Sequence, residues 1–333
     1  MKRFGKHIIK NDKRIYILKS LAVLTAIVIF TLGLSGCKVN TRENSELKIV
    51  EENKIEEALT DNTGIAADES VNQKKDRVIA LSKSNAELWV LAGGSLIATS
   101  DDAMEIEGLN TDAVSLGDMD HVSLEAIAAL NPDLLILFST DPAQKALGEA
   151  AEGIGINVYY TNIDGFSDYE KVMTAFTSKT GRDDLYQKNV AEVRKGIDEV
   201  TGKALDKKIS GTYLCLHVSA TKSKVEKNDY FACEIFNDLG LNNIASDTSA
   251  FDELSLEAIV TADPDYIFVI PRGSEEKAMT SFSELFSSHP AWENLTAVKT
   301  GKYYLLSKDL FGLKPNAQWA SAYRQAYELL YEQ

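Results

Sequence analysis

The sequence predicts an α/β protein built as two similar α/β lobes with parallel-type sheets, joined by one long helix, with a ligand cleft between the lobes. Three features lead there. Residues 122–139 (VSLEAIAALNPDLLILFS) return as residues 254–271 (LSLEAIVTADPDYIFVIP) with seven identities. From Arg77 onward, short apolar runs alternate with amphipathic stretches, the pattern of parallel strands covered by helices. Residues 183–205 place apolar side chains at Leu185, Val190, Val193, Ile197 and Val200, near the helical period, and no glycine-rich linker interrupts them.

Taken in chain order, residues 1–36 read as an export signal. Lys2, Arg3, Lys6, Lys10, Lys13, Arg14 and Lys19 precede an apolar run from Leu21 to Leu34. That run falls short of the ~20 residues a membrane span needs. It ends in Leu34-Ser35-Gly36-Cys37, which resembles a bacterial lipobox and implies lipidation of Cys37 and anchoring on the extracytoplasmic face of the cell membrane. Residues 37–75 are rich in Glu, Asn, Asp and Lys and poor in aromatics, so they cannot bury enough apolar surface to fold and read as a tether.

Residues 76–180 form the expected N-terminal lobe. Its strands are RVIALS, DLLILF and INVYYT, with a helix near residues 86–91 that Leu91-Ala92-Gly93-Gly94 ends. Residues 181–205 are the inter-lobe helix, a stiff strut that permits only modest lobe movement. Residues 206–333 repeat the order with TYLCLHV, a helix over 231–239, the duplicated helix–strand unit, KYYLLS and a closing helix over 318–331.

Charge and cysteine content narrow the function classes. Removal of residues 1–36 leaves 28 basic and 49 acidic residues, a formal charge of about −21, which disfavours nucleic-acid or anionic-membrane binding by the folded part. Cys215 falls in a strand and Cys233 in a helix, and the two read as buried free thiols. Beyond residue 36 the histidines are His121, His217 and His289, too dispersed for a zinc or manganese site, so no metal centre is expected. No nucleophile elbow, phosphate loop or dinucleotide fingerprint is present, so neither an enzyme nor a cofactor is expected.

Glu125 and Glu257 occupy identical places in the duplicated segment. Each falls in the first turn of a helix that Ser123 or Ser255 caps, where the helix dipole alone would favour a carboxylate. In a parallel α/β unit that turn lies on the side where strands end, the side on which open sheets bind ligands. Both carboxylates are therefore expected on the rim of the cleft.

The two SLEAI-x(4)-PD units, the bridging helix and the ending HPAWENLTAVKTGKYYLL resemble the substrate-binding proteins of ABC importers for iron-siderophores, haem and cobalamin, the rigid-helix class of periplasmic binding proteins. The resemblance implies a monomer that captures an iron chelate and passes it to an ABC permease dimer, with Glu125 and Glu257 docking on the permease. DPDYIFVIPRG (residues 263–273) is similar to catecholate-siderophore binders, which implies that Arg272 touches an anionic ligand. By the strand-end rule, Lys222, Lys224 and Lys314 are further candidate cations. Tyr160, Tyr230 and Trp319 are candidate ring contacts, and Ser82 and Lys83 complete the expected ligand loops. Haem is the rival cargo, with Met119, His121, Tyr160 and His217 as candidate axial ligands, and cobalamin is a further alternative.

Overall fold

The computed structural model describes residues 76–246, 251 and 254–332. The export signal, Cys37 and the tether lie outside the described residues. The first sheet is wholly parallel, with strands β1 (Val78–Ala80), β2 (Leu96–Thr99), β3 (Val114–Ser115), β4 (Leu134–Phe138) and β5 (Asn157–Thr161) in the order β3-β2-β1-β4-β5. Its helices are α1 (Lys83–Leu91), α2 (Leu124–Ala129), α3 (Pro142–Gly153) and α4 (Phe166–Thr180). A helical run follows, made of α5 (Asp183–Tyr186), a π-helical turn (Gln187–Ala191) and α6 (Glu192–Lys207).

The second sheet centres on β6 (Gly211–Val218). That strand pairs in parallel with β8 (Leu241–Asn243) at its start and with β9 (Tyr266–Pro271) along its length. β10 (Tyr303–Leu305) extends the sheet beyond β9. At its end β6 instead pairs antiparallel with β7 (Ser223–Val225). A short polar strand at this point is invisible to periodicity. The turn builds it, because Ser219 N donates to Lys222 O at 2.9 Å while Ser219 Oγ accepts from Lys222 N at 3.0 Å. A connection this tight can only return the chain antiparallel. The remaining helices are α7 (Phe231–Asp238), α8 (Leu256–Ala262), α9 (Glu275–Phe282), α10 (Thr296–Lys299) and α11 (Trp319–Tyr331).

The duplicated segment is α2 feeding β4 in one sheet and α8 feeding β9 in the other, so its two copies sit in separate sheets. Ser123 and Ser255 cap the helices by accepting from Ala126 N and Ala258 N. Each helix ends at a left-handed residue before the proline, Asn131 at φ 44° and Asp263 at φ 39°. Proline disfavours helical backbone in the residue before it, and Asn and Asp are the non-glycine residues that best tolerate this conformation. The aspartate after the proline has a role beyond the turn. Asp133 accepts from Arg77 N at 2.8 Å and Asp265 from Thr212 N at 2.8 Å, so each carboxylate pins the entry to the first strand of its own sheet.

Alternation along the central strands sorts the core. Val78, Ala80, Leu134 and Ile136 from the first sheet share one apolar cluster with Tyr213, Cys215, Phe268 and Ile270 from the second, and α4, α6, α7 and α11 fill it. The intervening strand residues face two outer clusters, one per sheet. Because both sheets feed one central core, the lobes are welded together along a helical layer. α6 packs on α11, and Gly196 lies where any Cβ would crowd Ala320.

Polar bonds add to that seam. Glu234 Oε1 accepts from Phe166 N at 3.2 Å and so caps α4, whose own N-cap is Gly165. Asn316 Nδ2 donates to Glu87 Oε2 at 2.6 Å. No helix among the described residues is long and apolar enough to cross a membrane.

Candidate functional site

Strand order reverses between β6 and β9, and open α/β sheets bind ligands beyond the carboxyl ends of strands at such a point. A cavity of about 240 Å³ lies there, lined by His217 and Val218 at the end of β6, Ser219, Lys222 and Lys224 on the hairpin, and Arg272 just after β9. Three residues singled out for an anionic ligand thus come together in one wall. Arg272 is placed by its backbone, whose N–H donates to Val218 O at 2.7 Å.

The cations differ in availability. Lys224 Nζ already meets Glu226 Oε1 at 3.0 Å. Among the described residues, no hydrogen bond or ion pair holds the side chains of Lys222 and Arg272, and both residues are exposed. They are the charges left for a ligand.

Beneath them stands a pair that periodicity could not reveal. His217 and Glu226 are 7% and 4% exposed, and His217 Nδ1 lies 2.9 Å from Glu226 Oε1. The carboxylate orients the ring, as second-shell carboxylates commonly do for imidazoles. His217 Nε2 is buried with no partner among the described residues. Tyr230 packs on the ring at 5.6 Å between centroids. In the sequence, His217 stood only as a haem-ligand candidate. The signal that could have joined it to Glu226 is the hairpin register, which sets His217 opposite Lys224.

Several expectations are corrected. Trp319 is fully buried between Phe166 and Phe231, with ring centroids at 5.9 and 5.6 Å, so it holds the central core and has no face for a ligand. Tyr160 packs on Gly148 of α3 beside the outer cluster, and burial with nearby Glu152 and Glu149 pushes its phenol up. It is half-buried there and is not among the residues that line the basic wall with His217 and Arg272.

Lys314 Nζ donates to Ile163 O across the lobes and lies 5.4 Å from the Phe231 ring centre. Burial holds its ammonium below the usual lysine range, and its charge serves the seam. Ser82 is buried at φ 88°, with its Oγ capping α1 through Asn85 N and its N–H given to Ser100 Oγ. Both of its polar groups are spent within the loop.

Tyr230 O–H donates to Phe311 O at 2.6 Å, and its ring supports His217. Lys83 is exposed in the first turn of α1, its N–H donating to Asp102 Oδ2. On the other lobe, His121 is 81% exposed beside Asp118 at 3.8 Å, and Met119 is half-buried. These two are not in the wall that holds His217. Cys215 and Cys233 are buried free thiols. Among the described residues, no group of three or more His, Cys, Asp and Glu side chains is placed to hold a metal ion.

Glu125 and Glu257 are both exposed in the first turns of α2 and α8. Glu257 also borders a wider hollow of about 540 Å³ with Ile244, Phe251 and Thr261.

Residues 78–310 match the periplasmic binding protein family. The chain belongs to that family. This periplasmic binding protein is 26% identical over 308 residues to the Fe(3+)-citrate-binding protein YfmC of Bacillus subtilis, a match covering 89% of this chain and 92% of that protein. Two solved structures share the fold, each at TM-score 0.66. An ABC transporter substrate-binding protein of Listeria monocytogenes is 20% identical, the match covering 78% of this chain and all of that one. IsdE of Staphylococcus aureus complexed with heme is 18% identical over 77% of this chain and 99% of that one. Further matches include a vitamin B12-binding protein of Vibrio campbellii and a triscatecholate siderophore binding protein of Bacillus subtilis. The chain is a substrate-binding protein of the ABC-importer class and not an enzyme.

Proposed function

We propose that this protein is an extracytoplasmic lipoprotein, anchored through Cys37, that captures an anionic iron chelate and delivers it to an ABC permease. The observation that carries the cargo class is the basic wall at the sheet switch point, where Lys222 and Arg272 stand unpaired among the described residues of a strongly acidic chain. Local cations of this kind offset the charge of a polyanionic chelate. A compact carboxylate chelate of the ferric citrate type fits better than a tris-catecholate, because Trp319 is buried in the core and Tyr160 is not part of the basic wall, so neither offers a ring face there.

A haem cargo is the second reading, supported by the unpartnered His217 Nε2. Titration with ferric citrate, a ferric tris-catecholate and haemin, followed by tryptophan emission and by the Soret band, separates these readings. Saturable quenching by ferric citrate alone is expected. A Soret shift with haemin and no response to the anionic chelates would replace the iron-chelate assignment.

Glu125 and Glu257 are the permease contacts in this reading, one exposed carboxylate on each lobe in equivalent helices. Replacing both by Ala is expected to abolish uptake in cells while changing ligand affinity less than about twofold, since neither lines the basic wall. Loss of ligand binding in the double variant would remove the docking role.

A further inference from the structure

The loop that carries Arg272 is held by a residue that does not itself line the cavity. β9 ends at Pro271, and Ser274 Oγ accepts from Lys277 N to cap α9, so Arg272 and Gly273 alone join the strand to the helix. The Arg272 N–H is fixed on Val218 O at the end of β6. Gly273 is a loose joint by comparison, with φ at 71° and nothing within 4 Å of where a Cβ would stand. Glycine has more backbone freedom to lose on ordering than any other residue, so the direction in which this loop sends the guanidinium needs a second fixed point.

Lys308 provides that point. β10 runs parallel to β9 with Leu305 opposite Val269, and Leu306 N continues the ladder onto Val269 O at 2.8 Å, which carries the chain on toward the end of β9. A π-helical turn follows over Lys308–Gly312. From it Lys308 Nζ donates to Gly273 O at 3.3 Å, and among the described residues no ion pair holds that ammonium. The stem has room because position 312 is glycine, where a Cβ would stand 3.2 Å from Lys308 Cγ and 3.4 Å from Ile270 Cγ2. The same turn supports the other side of the wall. Phe311 O accepts the Tyr230 hydroxyl at 2.6 Å, and the Tyr230 ring packs on His217. A hydrogen bond from an ammonium is stronger than one between neutral groups, which suits it to holding a carbonyl at the surface.

We propose that Lys308 is a positioning residue for cargo capture, clamping the Gly273 carbonyl so that the Arg272 guanidinium stays in the basic wall. This rests on the reading of that wall as the cargo site. Lys308 acts through Arg272 and not by touching the cargo, so its contribution to affinity disappears once the guanidinium is gone.

The test is a double-mutant cycle. Ferric citrate is titrated into the purified wild type, Lys308→Met, Arg272→Ala and the double variant, and the urea midpoint of each is measured alongside. Lys308→Met keeps the stem and removes one exposed bond, so it is expected to weaken binding roughly 3- to 10-fold with the midpoint unchanged. In the Arg272→Ala background the same change is expected to cost less than about twofold, the non-additivity of two groups that act as one. Lys308→Arg, which keeps a cationic donor, is expected to retain most of the wild-type affinity. Unchanged affinity in Lys308→Met overturns the proposal, and a loss in Arg272→Ala then leaves the cargo reading standing. Equal losses from Lys308→Met in both backgrounds also overturn it, because Lys308 then meets the cargo on its own account. A loss in Lys308→Arg as large as that in Lys308→Met overturns it too, since the effect then lies in the packing of the stem on Gly312. Unchanged affinity in Arg272→Ala, or failure of ferric citrate to bind the wild type, removes the basic-wall reading and this inference with it.

Discussion

Trp319 separates a core role from a ligand role, and its surroundings set the size of the effect. The side chain is fully buried and meets Phe166 and Phe231 at interplanar angles of 81° and 80°. Phe166 opens α4 next to the first sheet and Phe231 opens α7 next to the second, so the indole joins the two lobes' packing. Truncation to Ala leaves a large cavity and costs about 3–5 kcal/mol, including edge-to-face contacts worth about 0.5–1.5 kcal/mol each. For a folded region of this size that is a fall in Tm of roughly 10 °C.

Trp319→Phe keeps most of the packing and removes an Nε1–H that has no partner among the described residues, so its cost stays under about 1.5 kcal/mol. Urea denaturation and ferric citrate titration of both variants give the two readouts. Trp319→Phe is expected to bind like the wild type. A tenfold loss of affinity in that variant, with an unchanged unfolding midpoint, would show that the indole meets the cargo and that the packing assignment is wrong.

Three further outcomes follow from single contacts. Lys222→Ala and Arg272→Ala should each weaken ferric citrate binding by about 1–2 kcal/mol, roughly 5- to 30-fold, with the loss shrinking as salt rises. Lys224→Ala should cost less affinity because Glu226 already holds that ammonium. Asp265→Ala leaves Thr212 N and Oγ1 without their acceptor and should destabilise the fold by about 1–3 kcal/mol in urea melts, with Asp133→Ala acting likewise on Arg77 N. Burial raises the Glu234 carboxyl above its usual range, against the opposing bond from Phe166 N. A raised folded value means that this group's contribution is fully present at acid pH and is lost as pH rises through that value. Glu234→Gln, which keeps the acceptor, should therefore stabilise the protein at pH 7 and lose that advantage below the ordinary carboxylate range. A flat difference in denaturation midpoint between pH 4 and pH 7 would contradict this.

Much of the site was legible because it follows from local rules. Lys222, Lys224 and Arg272 were found by asking which loops follow strands, and the cavity gathers them. The same rule misplaced Tyr160, Trp319 and Lys314, because it finds a backbone position and not the side on which a side chain packs. Tyr160 is the penultimate residue of β5 and packs on Gly148, and Lys314 reaches a carbonyl 151 residues away. The missed Glu226 directly follows a three-residue strand whose pairing rests on a turn hydrogen bond, which leaves no periodic trace.

The duplicated SLEAI-x(4)-PD segment determined by itself that there would be two equivalent helix–strand units, since caps, turns and strand runs depend on residues a few positions apart. Only the tertiary structure decided that both sheets drain into one shared core, and that the segment's aspartates reach across 56 and 53 residues to pin neighbouring strands. It also turned a histidine and a glutamate nine residues apart into a buried pair whose histidine belongs to the cavity lining. Such contacts are selected by packing and charge among distant segments, and these are set only when the chain has closed on itself.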